Sequence, residues 1–101
     1  MTLTAKQSLL KTAHKLRFSK WLQHHLAQDK NGNHVRVTDK KATQFCVLGA
    51  MCAVAGDTVP LPGYWEFEKF LKQRIIDFNN TPGRTKKEVI DALLKCAEQL
   101  P

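Results

Sequence analysis

A chain of 101 residues with a net charge of +7, 43% hydrophobic and 25% charged, is one domain able to bury roughly 65% of its unfolded surface without a disulfide or a metal. Neither disorder nor a membrane span is expected, because there is no low-complexity tract or repeat and the longest apolar run, FCVLGAMCAVAG from Phe45 to Gly56, is well short of the roughly 18 to 20 residues a span requires. Three cysteines, Cys46, Cys52 and Cys96, are an odd number and read as free thiols of a reducing cytoplasm.

Apolar residues at Leu3, Leu9, Leu10, Ala13 and Leu16 share one side of a helix, whereas Phe18, Trp21, Leu22 and Leu26 fall on a rotated side. This predicts a first helix kinked near Arg17 to Lys20, with Ser19 capping the second piece. Lys6, Lys11, Lys15 and Arg17 break up any secretory h-region, so no leader is expected. The basic, initially acid-free start also has the composition of an organellar transit peptide, but Trp21 and the leucines around it read as structure.

DKNGN, Asp29 to Asn33, carries the Asn31-Gly32 turn signal, and Val35 and Val37 alternate behind it, which predicts a tight turn with at most one short strand or hairpin. Asp29, Asn31 and Asn33 imitate the start of a calcium loop. His34 then stands where that loop needs glycine and Lys40 where it needs a bidentate glutamate, so turn chemistry is the better reading. Thr38 or Asp39 can cap a second helix that runs through FCVLGAMCAVAG to Gly56. A proline loop, Asp57 to Gly63, leads to a third helix from about Tyr64 to Asn79 with Phe67, Phe70, Leu71, Ile75 and Phe78 on one face. The turn NNTPGR ends it. Thr85 to Glu88, TKKE, is a capping box that opens a fourth, amphipathic helix through Val89, Ile90, Leu93, Leu94, Ala97 and Leu100. The fold expected is mainly α: a compact bundle of about four helices in a single domain over residues 1–101.

Helical spacing leaves the central apolar run polar on no side, as suits a helix surrounded by others. Gly49, Ala50, Ala53 and Ala55 allow close backbone approach, and Cys46 and Cys52 behave as small hydrophobes. The sharper alternative is a cysteine-dependent enzyme. Cys46, near the helix start, would be its nucleophile, with one of the four histidines as base and Asn79 or Asn80 orienting it. No metal site is expected: Cys46 and Cys52 are six apart, His24 and His25 diverge, and there is no CxxC or HxxxH pair. No cofactor is implied, since phosphate-cradling glycine loops and dinucleotide fingerprints are missing.

Trp21, the DKNGN turn, ATQFCVLGAM from Ala42 to Met51 and IIDFNNTPGRTKKEVIDAL from Ile75 to Leu93 resemble a family of small uncharacterised bacterial and bacteriophage proteins. Its pattern is a Trp helix, a D-x-x-G turn, an A-x-x-[FW]-C-x-L-G-A helix, and an [FW]-N-[DN] turn leading into T-x-x-E-V. The resemblance spans Trp21 to Leu94. It implies a shared fold and a bacterial or phage setting and brings no established activity. Trp21, Cys46, Gly49, Asn79, Asn80, Thr85 and Glu88 are the motif residues it marks, as a packing and capping framework or as a site.

The charge is uneven. Residues 1–41 hold nine Lys or Arg against two acids, and residues 42–101 hold seven of each sign. A basic half beside a neutral half points to a polyanionic partner, either nucleic acid or the acidic protein surface of a host complex. The expected function is accordingly a non-enzymatic binding protein of phage or mobile-element type in the bacterial cytoplasm, with inhibition of bacterial immunity among its candidate roles. Lys11, Lys15, Arg17, Lys20, Arg36, Lys40 and Lys41 are the candidate anion contacts. Tyr64 and Trp65 are candidate interface anchors if exposed. A homodimer or larger helical assembly is the third class considered.

Overall fold

The fold is seen in a computed structural model that describes residues 3–56 and 61–101. In chain order its elements are α1 (Ala5–Arg17), β1 (Lys20–Trp21), β2 (Ala27–Gln28), β3 (Gln44–Phe45), α2 (Val47–Val54), α3 (Tyr64–Leu71), α4 (Ile75–Asn79) and α5 (Lys86–Glu98). The expectation of a mainly helical domain with a small hairpin-like element is met.

Helices α1 and α5 form the centre of the core, and each is opened by a reciprocal capping box. Thr4 pairs with Gln7 and Thr85 with Glu88, so that in each case side chain and backbone satisfy one another. Along α1 the buried residues Ser8, Leu9, Thr12, Ala13 and Leu16 recur at three and four and face α5 and α2. Thr12 is buried at no cost in unpaired polarity, because its hydroxyl donates to the Ser8 carbonyl one turn back, at 2.7 Å. Val89, Leu93, Cys96 and Ala97 are the matching stripe on α5.

The break expected near Arg17 is present, but the chain beyond it is extended and forms no second helical piece. Lys20 N donates to Thr43 O and Leu22 N to Phe45 O, which builds β1 onto β3. The three strands, two residues each, are ordered β1-β3-β2. Strand β1 is parallel to β3, with Trp21 opposite Phe45, and β2 is antiparallel, with Ala27 opposite the same Phe45. Phe45 is 2% exposed; this small sheet exists to surround it. The Asp29 turn closes as expected: one carboxylate oxygen accepts from the amides of Asn31 and Asn33, Gly32 takes φ +84°, and a single bridge pairs Gln28 with His34.

Two helix boundaries differ from the sequence reading. The central helix is not capped by Thr38 or Asp39, because Asp39 instead closes its own turn onto the Lys41 amide and Gln44–Phe45 is a strand. Its N-cap is Cys46, whose Sγ accepts from Gly49 N at 3.2 Å. Beyond its other end Gly56 adopts φ +67°, the left-handed stop expected there. Of the proline loop expected from Asp57 to Gly63, residues 57–60 lie outside the described residues. The helix expected from Tyr64 to Asn79 is two helices: Lys72 turns left-handed at φ 59°, and the Glu68 carboxylate reaches forward to accept from Ile75 N at 3.0 Å. The turn swings Ile75 and Phe78 inward, where Phe78 meets Phe67 edge to face.

Candidate nucleic-acid interface

The motif residues converge first on Asn79, which is 1% exposed. Its Oδ1 accepts from the Trp21 indole Nε1 at 2.7 Å and from Val47 N at 3.0 Å. Its Nδ2 donates to Leu22 O at 3.1 Å and to Asn80 Oδ1 at 3.0 Å. Around it Gln23 Nε2 donates to the carbonyls of Asn79 and Thr81, and His24 N donates to Asn80 Oδ1. One side chain thus ties the segment after β1, the first turn of α2 and the end of α4 together. Leu26 completes the junction, since its carbonyl accepts from Cys46 N. It passes so near α2 that a Cβ on Gly49 would come within 2.7 Å of the Leu26 carbonyl carbon and closer still to its oxygen. Trp21, Cys46, Gly49, Asn79 and Asn80 therefore form a packing and capping framework.

Cys46 is 6% exposed, and its sulfur is engaged as a helix cap. Burial pushes its thiol up, more than the amide hydrogen bond from Gly49 pulls it back. A cysteine nucleophile needs the opposite shift. Asn80 receives His24 through the backbone amide and not the imidazole, so it does not orient a base in the manner the enzyme alternative requires. The His25 and His34 rings meet at a tilt of 45° with centroids 4.3 Å apart, and those of His14 and Phe18 at 56° and 4.9 Å. Among the described residues no three His, Cys, Asp or Glu side chains gather as metal ligands.

At the C-terminal end of α1 lies an open cleft of about 460 Å³, lined by Arg17, Phe18, Ser19, Lys20, Lys30 and Thr43. Two of the expected anion contacts, Arg17 and Lys20, meet here, and Lys30 joins them. Its wall contains three cations and no acid. None of the three is held in an ion pair among the described residues, where the salt bridges are Arg84 to Glu88 and Lys87 to Asp91. Lys86, from the electrically neutral half, reaches across: its Nζ donates to Ser19 O at 2.6 Å and Arg17 O at 3.3 Å. The Arg17 carbonyl is the last of α1, where the helix carries partial negative charge, and the Ser19 carbonyl lies just beyond it. The lysine offsets that charge at the edge of the cleft.

The remaining candidates stand apart from this cleft's wall. Lys11 is exposed one turn before Lys15 on α1, and the Lys15 ammonium lies 4.6 Å from the Phe45 ring centroid, a cation–π contact. Arg36, Lys40 and Lys41 lie on the segment between β2 and β3, all three exposed. Trp65 is 71% exposed and Tyr64 half-buried, their rings edge to face at 5.2 Å. Burial, assisted by the Glu68 carboxylate, raises the Tyr64 phenol. Sequence reasoning missed Lys30 and Lys86 because their neighbours in space are distant along the chain. It also passed over Phe18 as a ligand group by assigning it to an apolar helix face, whereas it is 74% exposed.

Fold and surface together describe a small, mainly helical protein with a buried amide hub and a basic, aromatic-bearing cleft. The chain belongs to a family of unknown function (DUF6197), whose model matches residues 1–99. The match reaches further toward both ends than the motifs between Trp21 and Leu94. No match is found among curated proteins or among solved structures.

Proposed function

We propose that this is a non-enzymatic binding protein that docks on nucleic acid through the cleft at the end of α1. The observation that carries the reading is the grouping of Arg17, Lys20 and Lys30 around one concave surface free of acids. Neutralised phosphates release their counterions, and such a cluster gains affinity from that release. Arg36, Lys40 and Lys41, on the neighbouring loop, extend the positive field and steer association. The resemblance of the Trp21 to Leu94 motifs to small bacterial and bacteriophage proteins supports a phage or mobile-element setting. There the nucleic acid engaged would include that of host nucleoproteins, bacterial immunity complexes among them.

The test is a fluorescence-anisotropy titration with DNA and RNA oligonucleotides at low and physiological salt. Micromolar or tighter binding is expected, weakening as salt rises. In the combined Arg17→Ala, Lys20→Ala, Lys30→Ala variant the slope of log affinity against log salt should shrink by about 2 to 3, at roughly 0.7 to 0.9 for each phosphate no longer neutralised. No binding at low salt would overturn the reading and direct the search to an acidic protein surface.

A further inference from the structure

Resting on that reading, we infer that the cleft takes an unpaired strand, with a base stacked on Phe18 and the flanking phosphates on Arg17, Lys20 and Lys30. Phe18 is held out of the core by the chain on both sides of it. It is the C-cap of α1, with its own amide on the Leu16 and Lys15 carbonyls, and two residues later Lys20 N is pinned to Thr43 O. Three residues on, Trp21 turns the opposite way and gives its indole N–H to Asn79. The chain thus packs one of these aromatics, half-buried, against the core and presents the other. The His14 ring, one turn back on α1 at 4.9 Å and inclined by 56°, steadies the Phe18 ring, while 74% of the residue stays in solvent. An aromatic fixed in this way meets a ligand with little ordering left to do.

Among the described residues Leu10, Leu26, Trp65 and Ile76 are also exposed and apolar, but none of these lines this cleft with its three cations, as Phe18 does. Alternating an aromatic face with positive charges is the pattern by which proteins hold single strands: bases stack and phosphates are neutralised. A duplex offers no free base face, because its bases are stacked on one another and show only their edges in the grooves. Nor does this surface supply a groove-filling element. Its cations stand at the end of α1 and on the chain beyond it, not along an exposed helix flank, which is what major-groove docking uses. The size agrees as well, since about 460 Å³ lies within the usual range for a small-ligand site. Lys86, bonded to the Arg17 and Ser19 carbonyls, removes the helix-end partial charge that would otherwise oppose a phosphate there.

The experiment compares a labelled mixed-sequence 12-mer, its duplex, and AMP as competitor, each titrated at several salt concentrations from low to physiological. The proteins are wild type, Phe18→Ala, Phe18→Tyr, and the Arg17→Ala, Lys20→Ala, Lys30→Ala variant. Wild type should prefer the single strand over the duplex by tenfold or more. Phe18→Ala should lose about 5- to 100-fold on the single strand and less than about twofold on the duplex, with an unchanged salt slope because no charge is removed. Phe18→Tyr should retain single-strand affinity, since the ring is kept. Thermal unfolding of Phe18→Ala should match wild type, as befits so exposed a side chain. Equal loss on both strands, or no loss in Phe18→Ala, overturns the stacking while salt-dependent binding abolished in the triple variant leaves the nucleic-acid reading in place. AMP competing as well as unlabelled 12-mer also overturns it, in favour of a free nucleotide. Failure of wild type to bind either strand at low salt overturns both.

Discussion

Asn79→Ala is the sharpest perturbation of this fold, because four hydrogen bonds end on one amide. Removing it leaves Val47 N–H without an acceptor inside a buried site, which costs about 2 to 3 kcal/mol. The Trp21 indole N–H and the Leu22 carbonyl are only partly buried, so water reaches them in part and each costs about 1 kcal/mol. Asn80 Oδ1 keeps its bond from His24 N and adds little. The sum, roughly 4 to 5 kcal/mol, is a large part of the 5 to 15 kcal/mol that typically stabilises a domain. In a urea titration followed by circular dichroism, a slope of about 1 to 2 kcal/mol/M turns that loss into a midpoint lower by roughly 2 to 5 M. A double-mutant cycle isolates the shared bond. Trp21→Phe deletes the indole donor, and its cost should fall by about 1 kcal/mol when Asn79 is already alanine. A total loss under about 1 kcal/mol for Asn79→Ala, or strict additivity with Trp21→Phe, would refute the hub.

Gly49→Ala should destabilise by at least about 3 kcal/mol in the same titration, because the new methyl meets the Leu26 backbone and not a side chain that can swing away; a near-neutral result would mean that the segment carrying Leu26 moves freely. Cys46→Ala should cost about 1 kcal/mol through the lost cap, and Cys46→Ser less, since serine is itself a good N-cap. Site-resolved alkylation at neutral pH should label Cys46 only as the protein unfolds, and prompt labelling in native buffer would contradict its burial and raised thiol. The Asp29 carboxyl is held low chiefly by the Asn33 amide and that of Glu88 chiefly by the Thr85 amide. Because both folded values lie below the ordinary 3.8 and 4.5, their contribution is present above those values and lost as pH falls through the folded ones. The stability gap between wild type and an Asp29→Asn, Glu88→Gln variant should therefore close on acidification below about pH 5, and a gap independent of pH would contradict it.

Features whose cause is local can be read from the chain alone. The TKKE box needs only Thr85 and Glu88 on one turn, and α5 starts where it says; the Asp29 turn needs only its own amides. The Thr4–Gln7 box has the same form and is equally legible. Features whose cause is distant cannot be read in this way. Strand β3 is two residues long and has no period of its own; Phe45 is extended because Trp21 and Ala27 flank it. The end of α1 obeys the same logic, since an amphipathic stripe cannot tell a helix that kinks from a chain that leaves to meet β3.

Asn79 lies between these cases. In the sequence it reads as part of a turn, yet Ile75, Phe78 and Asn79 recur at three and four on the buried side of α4, and an amide in that register must find partners inside the core. Its partners explain the surface too. Trp21, Leu22 and Gln23 are held by the Asn79 junction on the inner side. Arg17, Phe18 and Lys20, immediately before them, are turned toward the cleft. The same short segment is thus anchored on one side and displayed on the other. The amide hub and the basic cleft are the two faces of one connection, and the rigidity of the first sets the geometry of the second.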